Sequence, residues 1–299
     1  MNLTKLIKQP ILAAGLAIIA CMVALVISTT RPHPIDRLYV FGDSLSDVGN
    51  VFQATGGLYP SNPPYFQGRY SNGRVWVEYL GERLGLSAAQ INNFACGGAT
   101  TGSSSNSLVP GLLTQVQSFT QTHQRTNPDA LYVLWAGAND YLQGADKATV
   151  PVENVTKAIA SLAGVGAKKI LVANLPDLGQ LPATRHSAQS ATLSTLTQAH
   201  NQSLRRSLKV LGQQQPDIKI VTLDVNALYR QAITNPVKFG FTNVTSACVS
   251  GSGACGNPDL FLFWDSIHPT RAAHRVLGEA AFEVIQDEGM VDSPSRVLP

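Results

Sequence analysis

The chain has 299 residues, enough for one large domain or two small ones. Charged residues make up 14%, well below the roughly 25% of an average soluble protein, so Ser, Thr, Gln and Asn must supply much of the polar surface. The formal net charge of +3, from 22 basic and 19 acidic residues, is too balanced to point to a nucleic-acid partner.

The first element is not part of the fold. Lys5 and Lys8 precede an apolar run, residues 11–28, at the lower edge of the length that spans a bilayer. A basic start followed by such a run implies an export signal, which sets residues 1–30 apart from a single domain over 31–299. Three fates stay open: cleavage near Ser28, retention as an anchor that gives membrane contact, or lipidation at Cys21 in Ile18-Ile19-Ala20-Cys21. The expected location is secreted or exported, periplasmic or extracellular.

From Asp36 onward, strand-like and helix-like segments alternate. "RLYVFG" (37–42) is followed by a long loop rich in Gly, Pro, Asn and Tyr (55–74). The helix-like "GRVWVEYLGERLG" (73–85) leads to "INNFA" (91–95). The strand "ALYVLWAG" (130–137) precedes "VTKAIASLAGVGA" (155–167) and "KKILVANL" (168–175). The longest helical stretch, 190–213, carries Leu193, Leu196, Leu204, Leu208 and Leu211 near helical spacing. It is followed by the strand "IKIVTLD" (218–224) and the helix "TRAAHRVLGEAAFEVI" (270–285), with Val276, Ala280 and Val284 on one stripe. Such alternation predicts an α/β fold: a mainly parallel sheet covered by helices on both faces, with ligands bound beyond the strand C-termini.

Ser44 occupies that edge after the first strand, in "FGDSLSDVGN", and Asn139 occupies it after "ALYVLWAG". A serine nucleophile needs a base for its proton and a third group to hold that base. Of six histidines only His268 has an aspartate three residues before it, Asp265 in "FWDSIHPT". The tetrahedral intermediate needs oxyanion donors placed in advance. "NFACGGATTG" offers the N–H groups of Gly97 and Gly98, and "GAND" offers the Asn139 amide. Taken singly, each of these motifs is more often a turn or a cap than a site.

Together, and in this order at the ends of predicted strands, the blocks "GDSLSDVGN", "NFACGGATTG", "GAND" and "DSIHP" resemble the GDSL lipase and esterase family, the SGNH hydrolases. "YFQGRYSNGRVWVEYL", "LWAGANDY" and "ANLPDLGQLP" are similar to the branch that holds plant GDSL lipases and bacterial secreted lipases and haemolysins. The resemblance covers about residues 38–285. It implies a three-layer α/β/α sandwich with a flavodoxin-like central sheet. It implies Ser44 as nucleophile, His268 as general base and acid, and Asp265 as the group that orients it. The oxyanion hole would be the N–H of Ser44, that of Gly97 and the amide of Asn139. Gly97 is preferred by alignment with the family's Gly block, and Gly98 stays open beside it. The implied activity is hydrolysis of carboxylic esters of lipid or acyl substrates through an acyl-enzyme, with no metal and no cofactor; the oligomeric state stays open, a monomer being favoured. A carbohydrate O-acetyl esterase on the same fold and a non-catalytic exported binding module are the alternatives.

Other motifs carry less. Gly42-Asp43-Ser44-Leu45-Ser46 lacks the final glycine of the G-x-S-x-G elbow. "GSGACG" (251–256) matches a dinucleotide fingerprint, but no strand closely precedes it and no helix follows. Cys248 and Cys255 flank that Gly-rich loop. Export favours a disulfide between them over two free thiols. The aromatic loop, with Tyr59, Tyr65, Phe66 and Tyr70, is positioned in sequence either to wall an acyl pocket or to stack on a sugar ring.

Overall fold

A computed structural model describes residues 35–104, 109–251 and 253–291, all within one compact unit, Pro34–Pro299. Residues 11–28, expected above to act as an export signal, and Cys21 lie outside the described residues. Among the described residues no helix is long and apolar enough to cross a membrane.

All five predicted strands form. They are β1 (Leu38–Gly42), β2 (Ile91–Asn93), β3 (Leu131–Trp135), β4 (Lys169–Ala173) and β5 (Lys219–Leu223). They pair in parallel in the order β2-β1-β3-β4-β5, the flavodoxin-like order. Between and after them run α1 (Asn50–Ala54), α2 (Trp76–Arg83), α3 (Leu112–Thr122), α4 (Ala138–Leu142), α5 (Thr149–Gly164), α6 (Ser190–Gln214), α7 (Val225–Thr234) and α8 (Arg271–Asp287).

The period-2 alternation of the strands divides the core into two layers. Leu38, Val40, Leu131, Val133 and Leu171 face one side, packed with residues of α2, α7 and α8. Tyr39, Phe41, Tyr132, Leu134 and Ile170 face the other, packed with residues of α3, α5 and α6. The central strands β1 and β3 are buried along their whole length, which is why they read as unbroken apolar runs.

Two details differ from the sequence reading. In α8 the deep stripe is Ala273, Leu277, Ala281 and Ile285, whereas Val276, Ala280 and Val284 flank it half-buried. Val276, Ala280 and Val284 follow i, i+4 spacing, but so do Ala273, Leu277, Ala281 and Ile285 one position away. Two of these are alanines, and Gly278 beside them comes so close to α2 that an added Cβ would meet the Trp76 carbonyl oxygen at 2.7 Å. Close approach of two helices, not side-chain size, selects the face. A second, two-stranded parallel sheet is also present: β6 (Asn243–Ala247) pairs with β9 (Phe261–Phe263), beside the short hairpin of β7 (Val249–Ser250) and β8 (Gly253–Ala254).

Candidate active site

In an open parallel sheet of this order, the crevice lies where connections leave β1 and β3 in opposite directions. Gly42 ends β1 against β3. A Cβ there would lie 2.1 Å from the Trp135 carbonyl oxygen, so only glycine fits. β2 pairs with β1 only as far as Val40. Beyond that point the Cys96 N–H still donates to the Gly42 carbonyl, and Gln115, buried on α3, adds to it. Its Oε1 accepts from the Gly42 N–H at 2.9 Å and its Nε2 donates to the Gly42 carbonyl at 2.8 Å. The chain then turns: the Asp43 carbonyl accepts from the N–H groups of Ser46 and Asp47, and the Asp43 carboxylate accepts from the Leu45 N–H. Ser44 rides on that turn.

His268 meets it from the other end of the sequence. Its Nε2 lies 2.8 Å from Ser44 Oγ, and its Nδ1 lies 2.7 Å from Asp265 Oδ2. Burial alone would raise the Asp265 pKa. The His268 hydrogen bond and charge, then the N–H groups of Ile267 and His268, more than offset it and hold the carboxyl below its usual range. The carboxylate only accepts, so Nδ1 carries the ring proton and Nε2 presents a lone pair to Ser44. Thr270 caps α8 just beyond, through the Ala273 N–H.

Asn139, on the first turn of α4, donates from Nδ2 to the Ala99 carbonyl at 2.9 Å, leaving its second amide hydrogen uncommitted by that bond. Ser44, Asn139 and His268 line one pocket, walled by Leu142, Leu178 and Ile267. A larger cleft, of about 680 Å³, lies elsewhere and holds neither Ser44 nor His268.

Gly97, the expected oxyanion donor, has its N–H engaged elsewhere. Its N–H donates to Asp47 Oδ2 at 2.9 Å, and its Cα is pressed against Tyr70, whose ring an added Cβ would overlap. The next residue, Gly98, has φ +84 and its N–H has no partner among the described residues, which is also true of the Ser44 N–H.

Three residues that motif spacing does not single out organise the site. Asp47 accepts from the N–H groups of Gly49, Asn50 and Gly97, joining the loop after β1 to the loop after β2. Asp140 does the same between α4 and Thr101, accepting from its N–H and its hydroxyl. Gln115 completes the end of β1. The acidic residues next to Gly49-Asn50 and Asn139 are a faint signal for the first two; nothing local marks Gln115.

The aromatic loop neither walls the pocket beside Ser44 nor lines it. Tyr70 packs on the His268 ring with centroids 5.2 Å apart, Tyr65 donates to Asp265, and Tyr59 and Phe66 face solvent. Cys248 and Cys255 are disulfide-bonded across the β7–β8 hairpin, which accounts for the Gly-rich "GSGACG" without any nucleotide. Among the described residues no group of three or more His, Cys, Asp or Glu side chains could hold a metal ion.

A family model for the GDSL-like lipase/acylhydrolase matches residues 38–281. The chain belongs to that family. It is thereby a carboxylic-ester hydrolase of GDSL type. It is 31% identical to a phosphatidylcholine-sterol acyltransferase of Aeromonas hydrophila, covering 89% of this chain and 95% of the relative. It is 27% identical to the GDSL esterase/lipase APG of Arabidopsis thaliana, covering 82% and 90%. With the thermolabile hemolysin of Vibrio parahaemolyticus it shares 26% identity over 85% of this chain but 64% of that one, so the chain spans less than two thirds of this relative. Among solved structures, a hydrolase named LAE5, from the metagenome of Lake Arreo, superposes with a TM-score of 0.53 at 16% identity, over 88% of this chain and all of the other. That likeness is one of GDSL-type fold: helices on both faces of a five-stranded parallel sheet.

Proposed function

We propose that this GDSL hydrolase is an exported serine esterase that cleaves acyl esters of lipids through an acyl-enzyme. The observation that carries the reading is the unbroken chain from Ser44 Oγ through His268 to Asp265 at hydrogen-bond distances, opening on an apolar pocket. His268 Nε2 takes the Ser44 proton as Oγ attacks the ester carbonyl. Asp265 holds the ring and stabilises the imidazolium that forms. The negative charge that develops on the carbonyl oxygen falls to the N–H groups of Ser44 and Gly98 and to Asn139 Nδ2. Collapse expels the alcohol, which takes the proton back from Nε2. Water then repeats the sequence on the acyl-Ser44 ester and frees the acid.

An acyl substrate is favoured over an acetylated sugar by the pocket wall, where Leu45, Leu142, Pro176, Leu178 and Ile267 offer no hydrogen bonds from their side chains. The names of the Aeromonas and Vibrio relatives, and of a secreted effector of Salmonella typhimurium that is 32% identical, favour lipid esters and export. The test is a panel of p-nitrophenyl esters from acetate to palmitate, with phosphatidylcholine and an acetylated glycan alongside, each with and without EDTA. Turnover that rises with acyl length and ignores EDTA is expected. Turnover of the acetylated glycan alone would overturn the lipid assignment, and abolition by EDTA with recovery on adding zinc would overturn the mechanism.

A further inference from the structure

Asp265 has more donors than orienting His268 requires. Its Oδ1 accepts from the N–H groups of Ile267 at 2.8 Å and His268 at 2.7 Å. Its Oδ2 accepts from His268 Nδ1 at 2.7 Å and, at the same distance, from the hydroxyl of Tyr65. The first three donors come from two residues just after Asp265 in the chain, Ile267 and His268. Tyr65 comes from 200 positions earlier, out of the aromatic loop.

That loop packs against His268 and Asp265. Tyr70 packs its ring on His268, and Ser71 Oγ donates to the Pro269 carbonyl at 2.9 Å. Tyr65 is the one member of the loop whose polar atom reaches a charged group of the site. Burial first, and then the Asp265 charge, push its hydroxyl well above the ordinary tyrosine range, so it remains a donor at every working pH.

We propose that Tyr65 is a positioning residue for ester hydrolysis: its hydroxyl pins Asp265 Oδ2 where His268 Nδ1 meets it and draws off part of the carboxylate's charge. The inference rests on reading Ser44, His268 and Asp265 as the triad. A carboxylate free to rotate would still be tethered through Oδ1, but Oδ2 would be located by the imidazole alone, the group it is meant to orient. Drawing off charge also has a sign. A hydrogen bond donated to Asp265 weakens its hold on the imidazolium, so its loss strengthens that hold and moves the acidic limb of turnover upward.

The other groups that face His268 leave that sign readable. Ser44 and Asp265 hydrogen-bond to it. Tyr70 packs on its ring, with its hydroxyl raised by burial and so neutral. His274 on α8 feels its charge but is pushed by burial down to about 3 and stays neutral. Asp43 on the nucleophile turn also feels it and titrates at about 7, but Tyr65 does not touch Asp43. The contribution of Asp43 is therefore common to parent and variant and cancels in their difference.

The experiment is Tyr65→Phe, which keeps the ring and removes only the hydroxyl, assayed across pH on the p-nitrophenyl ester the parent turns over best. The acidic limb of kcat/KM should move up by about half a pH unit. Plateau kcat should fall several-fold with KM nearly unchanged, and the melting temperature should stay close to the parent's. A profile that superimposes on the parent's overturns the inference. So does a fall in kcat with an unmoved limb and a lowered melting temperature, which is what lost packing would give. Ser44→Ala, run beside it, separates the two levels. If Ser44→Ala keeps the parent's turnover, the triad reading fails and the inference with it. If Ser44→Ala is inactive while Tyr65→Phe matches the parent, only the role of Tyr65 fails.

Discussion

Ser44 and His268 reach the same point by different kinds of construction. Ser44 follows a central strand that is paired on both sides, and the bonds that shape its turn are made by backbone, by the Asp43 carboxylate and by the buried Gln115. His268 hangs outside the five-stranded sheet, on the loop between β9 and α8. That loop is held by the Trp264 N–H to the His268 carbonyl and by the bonds from Cys248 and Val249 to Phe263 and Trp264, with side chains reaching in from the aromatic loop. The nucleophile is placed by the topology of the whole domain. The base is placed by a few long-range contacts, each of which one substitution can remove. Damage to the arm that carries His268 should therefore appear in catalysis before it appears in folding.

The largest effect expected is loss of either end of the relay. Ser44→Ala and His268→Ala should each lower kcat by on the order of 10⁶-fold, with unfolding curves near the parent's, because neither side chain supports the core. If His268→Ala kept turnover within tenfold of the parent, the two arms would not be parts of one machine.

Next in size is Asn139→Ala. Its amide acts only once charge has developed on the substrate oxygen, so the loss should fall on kcat, by about 10²–10³-fold or roughly 2.7–4 kcal/mol, with KM little changed. The competing role is structural, since Asn139 also bonds the Ala99 carbonyl. On that account stability drops by about 1 kcal/mol while kcat stays near the parent's. Measuring both on one preparation decides between them.

What motif spacing makes legible follows the same division. β1, β3 and β4 are apolar runs because both faces are buried, while the half-buried β2 and the partly exposed β5 are short segments set off by helix-length stretches, so all five can be named from sequence. β6 and β9 pair outside that sheet, and "NVTSA" at Asn243–Ala247 carries no such pattern, with no residue fully buried. α3 hides for another reason: Leu112, Val116 and Phe119 keep helical spacing, but among Thr, Ser and Gln with no charged face opposite. Ser44, Asn139, Asp265 and His268 can be picked out because each sits in a short motif next to a predicted strand end or helix start. The choice between Gly97 and Gly98 cannot be made this way. It turns on which N–H is already engaged, and Asp47, 50 positions earlier, decides that. Tyr65 is invisible for the same reason, its partner being 200 positions away.

The disulfide tests whether the His268 arm depends on its local supports. Cys248 and Cys255 close a loop of seven-residue separation, and the Cys248 N–H bonds the Phe263 carbonyl two residues before Asp265. Replacing both by alanine should cost about 2–3 kcal/mol in the chain-entropy account, with a fall in kcat that exceeds the change in KM. A lowered melting temperature with kcat intact would mean that the loop carrying His268 is held well enough by β6 and β9 alone.

The smallest effect concerns a weakness in the better-built arm. Asp43, next to Ser44, is 1% exposed, and its Oδ2 has no partner among the described residues. Burial pushes its pKa from 3.8 up to about 7, although the Leu45 N–H and the His268 charge pull the other way. The folded pKa lies above the unfolded one, so the native state binds the proton more tightly. Its contribution to stability is complete below about pH 4 and is lost as pH rises towards 7. The slope should be on the order of 1 kcal/mol per pH unit across that window. Asp47 and Asp140, also raised by burial, act with the same sign. Asp265, held low, acts with the opposite sign, its stabilisation being lost only as pH falls below the ordinary carboxylate range. Asp43 is therefore isolated by difference. Asp43→Asn resembles the protonated carboxyl at every pH, so its stability relative to the parent should climb from pH 4 to 7 and level off above. Denaturant unfolding of both proteins at half-unit pH steps measures this directly. Parallel curves would mean that the unpartnered oxygen is solvated in solution, and that the turn carrying Ser44 holds no buried proton.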